Sequence, residues 1–176
     1  MIRGFDAGQT GVFMNGLGLY QYGFGGYSID PFLLERIDVL KGASSALYGG
    51  ANVGGLINLV SKRPTGERLR HVETGINNWG NAFLGFDIGD ALDADRSYRV
   101  TGKVSGGHWE TDEAEDFRGV IAPSYTWEGD RTRVTLLGMY QDQDQTHTGG
   151  FWPYVGSVAP AAFGRIPRDF YYSEED

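Results

Sequence analysis

The chain has 176 residues, with 40% apolar and 14% aromatic side chains, 28 glycines and no cysteine. Its glycine content is well above the usual ~7%, but no Gly-X-Y period runs through it, so a collagen is excluded, and the apolar fraction argues against wholesale disorder. Without cysteine there are no disulfides, thiolate metal sites or thiol nucleophiles, and a net charge of −8 makes nucleic acid an unfavourable partner.

Charge is unevenly distributed along the chain. Residues 1–66 carry five basic and four acidic side chains (+1), whereas residues 67–176 carry ten basic and nineteen acidic ones (−9), which predicts two unlike segments. No apolar run reaches the ~18 residues of a membrane-spanning helix, whereas membrane strands, which alternate polar and apolar side chains, are compatible with this sequence. Because the chain begins inside a motif, with no leader at Met1, we expect a fragment of a longer protein.

The first predicted element is a hairpin within a stretch rich in glycine and aromatic residues. Two short apolar runs, 12–14 and 17–20, flank Asn15-Gly16, the dipeptide that suits a type I′ turn. A plain structural hairpin accounts for this pattern. The aromatic side chains between Tyr20 and Tyr27 are also compatible with a recognition surface.

A short helix and two strands are predicted next. Asp30 followed by Pro31 is typical of an N-cap and a first helical position, so we expect a helix through Glu35 and then a strand over 37–40. Another helical turn is expected over 44–48. An apolar strand over 56–61 follows, closed by the sequence Lys-Arg-Pro at 62–64.

Motifs for phosphate binding and catalysis are absent from the sequence. The glycines at 16 and 18 lack the third glycine of a dinucleotide fingerprint, and the glycine run 49–55 is not followed by the lysine of a P-loop. There is no nucleophile elbow or Ser-His-Asp pattern. The three histidines are dispersed, at His71, His108 and His147, and predict no metal site. We therefore expect no enzyme activity, no catalytic residues, no metal site and no cofactor.

After Gly66 the pattern changes to an alternation of period two, which is typical of strands. In 98–105, for example, Tyr98, Val100, Gly102 and Val104 share one face, while polar and charged residues share the other. We predict five strands, at 68–77, 81–92, 97–109, 117–128 and 132–143. Each has about the ~9–11 residues that a tilted strand needs to cross a bilayer, and tight turns alternate with longer loops, as in outer-membrane barrels.

Aromatic residues near the strand ends also fit a membrane barrel, because such rings favour the water boundary. They include Trp79, Tyr98, Trp109, Phe117, Tyr125, Trp127 and Tyr140. A soluble β-sandwich would show the same alternation, and a secreted sandwich that binds glycans through exposed rings is the alternative of a different class.

Several stretches resemble a known family. The sequence IDPFLLERIDVLKGASSALYGGANVGGLINLVSKRP, with IRGF at the start, closely resembles the C-terminal part of the plug domain of TonB-dependent outer-membrane receptors, in particular the ferric-hydroxamate siderophore branch. The resemblance continues through YRVTGKVSGG, IAPSYTW and the FWP element near residue 152. Ala43 and Val53 depart from the family, which usually has proline at both positions. The resemblance favours the membrane barrel over the sandwich.

The fold that this resemblance implies is mainly β. It is a partial transmembrane antiparallel β-barrel of about five strands, preceded by part of a mixed α/β plug domain. Residues 1–66 would form the C-terminal part of the plug, and residues 67–176 the N-terminal strands of the barrel, ending in an external loop. The implied location is the outer membrane of a Gram-negative bacterium, as an integral protein in contact with lipid.

The function implied is to bind a ferric siderophore and import it with energy coupled through TonB, which engages a segment absent from this chain. Receptors of the same fold for haem or cobalamin are the alternatives. An iron–siderophore complex already surrounds its ion with oxygen donors, so the receptor needs aromatic faces and a few hydrogen-bond donors, not protein ligands to iron.

Particular residues are implied to carry this function. Arg3 matches an arginine of the IRGF motif that contacts ferric hydroxamate, Trp152 aligns with a pocket residue of the external loop, and Phe32 stands where close relatives have tyrosine. Glu35 and Arg36 are implied to form ion pairs between plug and barrel. The full set of expected ligand-binding residues is Arg3, Tyr20, Gln21, Tyr22, Phe32, Phe151, Trp152 and Tyr154.

Overall fold

The computed structural model describes residues 11–19, 28–42, 54–108, 114–146, 153–167 and 169–170. These residues form two sheets, one of four strands and one of six. Two compact units are distinguished, the first comprising Met1–Leu69, Ile88–Thr101 and Ala122–Gly138, and the second Arg70–Asp87, Gly102–Ile121 and Met139–Asp176. No helix among the described residues is long and apolar enough to cross a membrane.

The first sheet contains β1 (Val12–Met14), β2 (Leu17–Gly18), β3 (Leu34–Lys41) and β4 (Gly55–Ser61), in the order β2-β1-β4-β3. β1 runs parallel to β4 and antiparallel to β2, and β3 is antiparallel to β4. The predicted hairpin is present, with positive φ at Asn15 (53°) and Gly16 (83°), as a type I′ turn requires. Phe13 and Leu56 form the buried core of this sheet, with Leu40 packed against them.

The predicted helix after Asp30 is shorter than expected. Asp30 does cap it, since its Oδ1 accepts a hydrogen bond from the Phe32 amide at 2.9 Å, but the element is a single 3₁₀ turn, Pro31–Leu33. Leu34 is already extended (φ −94°, ψ 139°) and pairs with Ser61. Backbone groups that a longer helix would need form hydrogen bonds with β4 instead. β3 therefore begins three residues earlier than predicted. The expected turn at 44–48 lies outside the described residues.

The second sheet is an antiparallel meander. Its strands are β5 (Leu69–Ile76), β6 (Ala82–Ala91), β7 (Arg96–His108), β8 (Glu115–Glu128), β9 (Arg133–Leu137) and β10 (Tyr140–Gln145). Their order is β10-β8-β7-β6-β5, with β9 also paired to β8. The first four agree with the predicted strands to within two residues at each end. The predicted boundary at residue 66 falls between β4 and β5, and the division into plug and barrel stays a prediction.

The fifth predicted strand is split in two, as β9 and β10. Both pair with β8 in one register, Ser124 opposite Leu137 and Ile121 opposite Tyr140. Between these pairs the Gly138 amide donates to the Pro123 carbonyl at 2.9 Å, but proline has no N–H with which to return the bond. The regular ladder is therefore interrupted at Pro123.

The second sheet exposes its apolar face and covers its polar one. Thr101 and Thr126 are almost fully buried, and Asp87, Arg99 and Ser124 are buried as well. Large apolar side chains of the same strands are exposed, among them Leu84, Val104, Ile121, Val134 and Leu136. In the described residues no second sheet covers these apolar side chains, which is the opposite of what a β-sandwich requires.

Candidate functional site

The first candidate site is a charged contact between the two sheets, within the first compact unit. Arg99 lies on the polar face of β7 with its side chain only 9% exposed. Its Nη1 donates to Oε2 of Glu35, at the start of β3, over 3.2 Å, and to the carbonyl oxygen of Arg63 over 3.0 Å. Charge-assisted bonds of this kind are among the stronger hydrogen bonds in proteins. One guanidinium therefore binds β3 and the linker that follows β4.

Neighbouring backbone contacts hold Arg99 in place. The Ser124 hydroxyl of β8 donates to the Arg99 carbonyl at 3.0 Å, and both residues are buried. Across the linker, the Lys62 amide donates to the Leu33 carbonyl at 3.1 Å. Both of the partners that Arg99 binds are thus held by ordered backbone.

Arg36, the second residue expected to form a plug–barrel ion pair, makes a local contact. Its Nε donates to Asp38 Oδ1 at 3.1 Å, two residues further along β3, and the side chain is largely exposed. Pairs of this kind contribute little to stability. A contact of Arg36 with the barrel stays a prediction.

Phe32 is half-buried in the 3₁₀ turn, and a cation lies over its ring. The Lys62 Nζ is 4.3 Å from the ring centroid, a distance typical of cation–π contacts. Phe32 therefore has a packing role in the first unit. Its expected contact with a ligand stays a prediction.

Tyr154 begins an irregular turn, Tyr154–Ser157, and is 69% exposed. Gly156 in this turn has φ 107°, and a Cβ there would lie 3.1 Å from Ile166 Cδ1, so the turn packs on the following segment. Backbone bonds between Gly156 and Ala159 (2.7 Å) and between Ile166 and Gly156 (2.8 Å) support it. Tyr154 thus projects from an ordered support. The other ligand-binding candidates lie outside the described residues: Arg3, Tyr20, Gln21, Tyr22, Phe151 and Trp152.

An acidic cavity of about 440 Å³ lies in the second unit, lined by ends of β7, β8 and β10. His108 Nδ1 and Glu115 Oε1 are 3.4 Å apart there, and Asp144 and Thr146 line the same space. The described residues contain no cluster of three or more side chains that could hold a metal ion. Sequence reasoning did not predict this cavity.

Asp93 lies in the tight turn between β6 and β7, and the pKa of its carboxyl group is lowered. Arg96 donates a side-chain hydrogen bond to Asp93, which lowers the pKa of that carboxyl, and the Asp95 amide donates to Asp93 at 3.1 Å. Both side chains are exposed to water, so this ion pair contributes little to the stability of the fold.

Comparison with known proteins bears on both sheets. Residues 1–56 match the model of the TonB-dependent Receptor Plug Domain. The ferrichrome outer membrane transporter/phage receptor of Escherichia coli K12 is 40% identical over 97% of this chain, and the ferrioxamine receptor of Yersinia enterocolitica is 33% identical over 99%. The chain belongs to the TonB-dependent receptor family. It spans about a quarter of the length of these relatives, 24% and 25% respectively.

Solved structures of this receptor family extend the similarity to the fold. The pyoverdine outer membrane receptor FpvA of Pseudomonas aeruginosa covers 82% of the chain with a TM-score of 0.76 and 27% identity. The ferric-catecholate import receptor Fiu of Escherichia coli covers 89% with a TM-score of 0.79 and 25% identity. The chain covers 22% and 23% of those proteins. It is mainly β and contains part of a receptor plug and the start of its barrel, as predicted.

Family membership explains why the second sheet exposes its apolar face and covers its polar one. In an outer-membrane barrel the outward side chains face lipid and the inward ones face a polar interior. The exposed Val104, Ile121 and Leu136 are then the lipid face, and the buried Arg99 and Thr101 point inward. The relatives are outer-membrane receptors of Gram-negative bacteria, and the predicted location in that membrane is confirmed. The relatives are named as receptors and transporters and not as enzymes.

Arg99 is the residue that sequence reasoning missed. It stands in the stretch YRVTGKVSGG, where the period-two alternation predicts only that it lies on the polar face of the strand. A single arginine facing the interior of a barrel strand needs a carboxylate or carbonyl partner. That requirement, applied to Glu35, could have suggested the pair.

Proposed function

We propose that the whole protein, of which this chain is a part, is a receptor that binds a ferric siderophore at the cell surface and imports it with energy supplied through TonB. The observation that carries the proposal is the 40% identity to a ferrichrome transporter along nearly the entire chain. The lipid-facing apolar side chains and inward polar ones of the second sheet support it, because transport across the outer membrane requires such a wall.

A hydroxamate is the siderophore class we propose. The two relatives named above are receptors for ferrichrome and ferrioxamine, and the hydroxamate branch is the one whose IRGF arginine corresponds to Arg3. Aromatic residues, including Phe151, Trp152 and Tyr154, would cover the chelator, and Arg3 would donate hydrogen bonds to its oxygen atoms. The ferric ion is cargo, so the proposal contains no resident cofactor, no metal ligand and no enzymatic step.

Iron-limited growth tests this function directly. The full-length gene is expressed in a Gram-negative host that lacks its own hydroxamate receptors and siderophores, and radiolabelled iron uptake is measured with ferrichrome and with ferrioxamine B. We expect saturable uptake that disappears in a TonB-deficient host. Binding of haem or cobalamin, with no hydroxamate uptake, would assign another cargo and contradict the proposed ligand class.

A further inference from the structure

The acidic cavity of the second unit carries more negative charge than its surroundings balance. Three carboxylates line it, those of Glu115, Asp116 and Asp144, and no lysine or arginine is among the described residues that line it. Glu115 has a basic partner in His108, at 3.4 Å. Within the described part of the chain, Asp116 and Asp144 form no ion pair. The cavity is therefore suited to a ligand that brings positive charge.

Asp116 is the lining residue that points to a ligand. It is only 8% exposed, and its Oδ1 has no hydrogen-bond partner among the described residues. A buried carboxylate oxygen without a donor is unfavourable, because it has lost hydration and gained no hydrogen bond in exchange. Asp116 is an even number of residues from the buried Ser124 and Thr126 of β8, so its side chain is on the same inward face of the strand. A ligand with an N–H donor would satisfy this oxygen from the barrel interior.

The cavity lies at the strand ends that an extracellular ligand would reach first. β7 ends at residue 108 and β8 begins at residue 115, and both ends line the cavity. The tight turns, 92–95 and 129–132, connect the opposite ends of these strands. Outer-membrane barrels have short turns on the periplasmic side and longer loops outside. The cavity is therefore on the external side of the barrel.

The chemistry of the cavity favours an alkylammonium group over a metal ion. The described residues contain no cluster of three side chains that could hold a metal. An ammonium group has three N–H donors and needs acceptors without a fixed coordination geometry. The ring of Phe117 also lines the cavity and offers an apolar surface to the methylene groups beside the charge. A volume of about 440 Å³ is near the lower end of the roughly 300–1,000 Å³ of ligand pockets, which suits a side arm of a larger ligand.

We propose that this cavity binds the protonated amine of a cationic ferric hydroxamate, so that the receptor prefers siderophores with a free alkylammonium arm over neutral ones. The inference rests on the proposed function and specifies its ligand. Asp116 Oδ1 accepts a hydrogen bond from the ammonium group, and Asp144 adds negative charge at the same cavity. The arm is charged at neutral pH, because the pKa of an alkylamine is about 10.4.

Two ligands that differ only in this charge test the proposal. Ferrioxamine B ends in a primary amine, and in its N-acetyl derivative a neutral amide replaces that amine. Dissociation constants of both, loaded with radiolabelled iron, are measured on cells that produce the full-length receptor. We expect the wild type to bind ferrioxamine B at least about tenfold more tightly than the acetylated form, the equivalent of one hydrogen bond to a charged group.

Variants then locate the preference in the cavity. Asp116→Asn keeps the shape of the side chain and removes its charge, so we expect the preference to fall to about threefold or less, with little change for the acetylated ligand. Asp144→Asn should give a smaller reduction. Asp142→Asn is the matched control, because this exposed residue of β10 carries the same charge but does not line the cavity. It should keep the full preference.

The outcomes separate the inference from the function on which it rests. Equal affinity of the wild type for the two ligands would overturn the inference, whatever the variants do. So would an undiminished preference in Asp116→Asn, or an equal loss in Asp142→Asn, which would assign the effect to the general charge of the surface. If Asp116→Asn does not reach the membrane, an undiminished preference in Asp144→Asn would overturn the inference instead. Binding of neither ligand would contradict the proposed hydroxamate function itself.

Discussion

Individual glycines determine how closely side chains of neighbouring strands pack in the second sheet. Gly102 on β7 lies beneath the ring of Phe86 on β6, and a Cβ at that position would be 2.5 Å from the ring carbon Cζ. Gly119 on β8 is different, because its nearest neighbour, a ring carbon of Phe117, would be 4.0 Å away. The two glycines therefore predict different tolerance to substitution.

The change Gly102→Val should destabilise the folded receptor by about 1–3 kcal/mol, because the added side chain must displace the Phe86 ring. Gly119→Ala is the control and should be close to neutral. Urea unfolding of the full-length receptor in detergent, followed by loss of strand circular dichroism, measures both. Equal urea midpoints for the two variants would contradict this prediction, because they would show that the Phe86 ring does not need the space above Gly102.

Phe32 allows a prediction about ligand affinity. The resemblance to ferric-hydroxamate receptors implies a tyrosine at this position, and its hydroxyl would provide one hydrogen bond worth about 0.5–1.5 kcal/mol. We expect Phe32→Tyr to tighten ferric-hydroxamate binding by roughly two- to tenfold, the equivalent of that energy. Titration of the full-length receptor by intrinsic fluorescence quenching is the measurement, with Phe32→Leu as a control for the ring. Unchanged affinity in Phe32→Tyr would remove Phe32 from the ligand site.

At the scale of elements, the two faces of the second sheet have opposite environments. Val104 is exposed on the lipid-facing side of β7, and the next residue, Ser105, is on the inward side. Side chains of successive residues in a strand point to opposite faces, so adjacent positions are a matched pair for testing the orientation of the sheet.

Val104→Glu should therefore lower the stability of the receptor in lipid by about 1–2 kcal/mol, less than the ~2–4 kcal/mol of a basic residue at the bilayer midplane. Ser105→Glu should have little effect, because it faces a polar interior. Reversible unfolding in lipid vesicles gives the free energies. A larger loss for Ser105→Glu would mean that the lipid face has been assigned to the wrong side.

The interruption between β9 and β10 lies opposite Pro123 of β8, which has no N–H to donate to Gly138. Pro123→Ala supplies an amide that can donate to the Gly138 carbonyl and complete the pair. We expect slower hydrogen exchange of the amides of residues 122, 124 and 137–140 and a gain of up to about 1 kcal/mol in the free energy of unfolding. Exchange that stays as fast as in the wild type would assign the interruption to curvature of the sheet and not to the missing donor.

At the scale of the whole molecule, the apolar outer face needs a membrane. Large apolar side chains are exposed along several strands of the second sheet. We expect the 176-residue polypeptide, prepared without lipid or detergent, to associate into large species in light scattering. A dispersed monomer in water would contradict a lipid-facing role for these apolar side chains.

The sequence alone predicted most of the architecture. Period-two alternation located four strands to within two residues, Asn15-Gly16 predicted the hairpin turn, and the plug-like stretch identified the family. These features are local, because the direction of a side chain and the conformation of a turn depend on neighbouring residues. The order of the receptor motifs is likewise read from the sequence directly, because it does not depend on contacts made by folding.

Tertiary structure decided what local pattern could not. Leu34 is extended because β4 pairs with it, the fifth strand is divided because Pro123 on β8 cannot return the bond of Gly138, and Glu35 meets Arg99 from 64 positions away. Each outcome depends on a partner brought close only by folding. The sequence therefore determined which face of each strand is apolar. The tertiary structure decided which partners the polar side chains bind, because a buried charge such as that of Arg99 must be paired with a group from another segment.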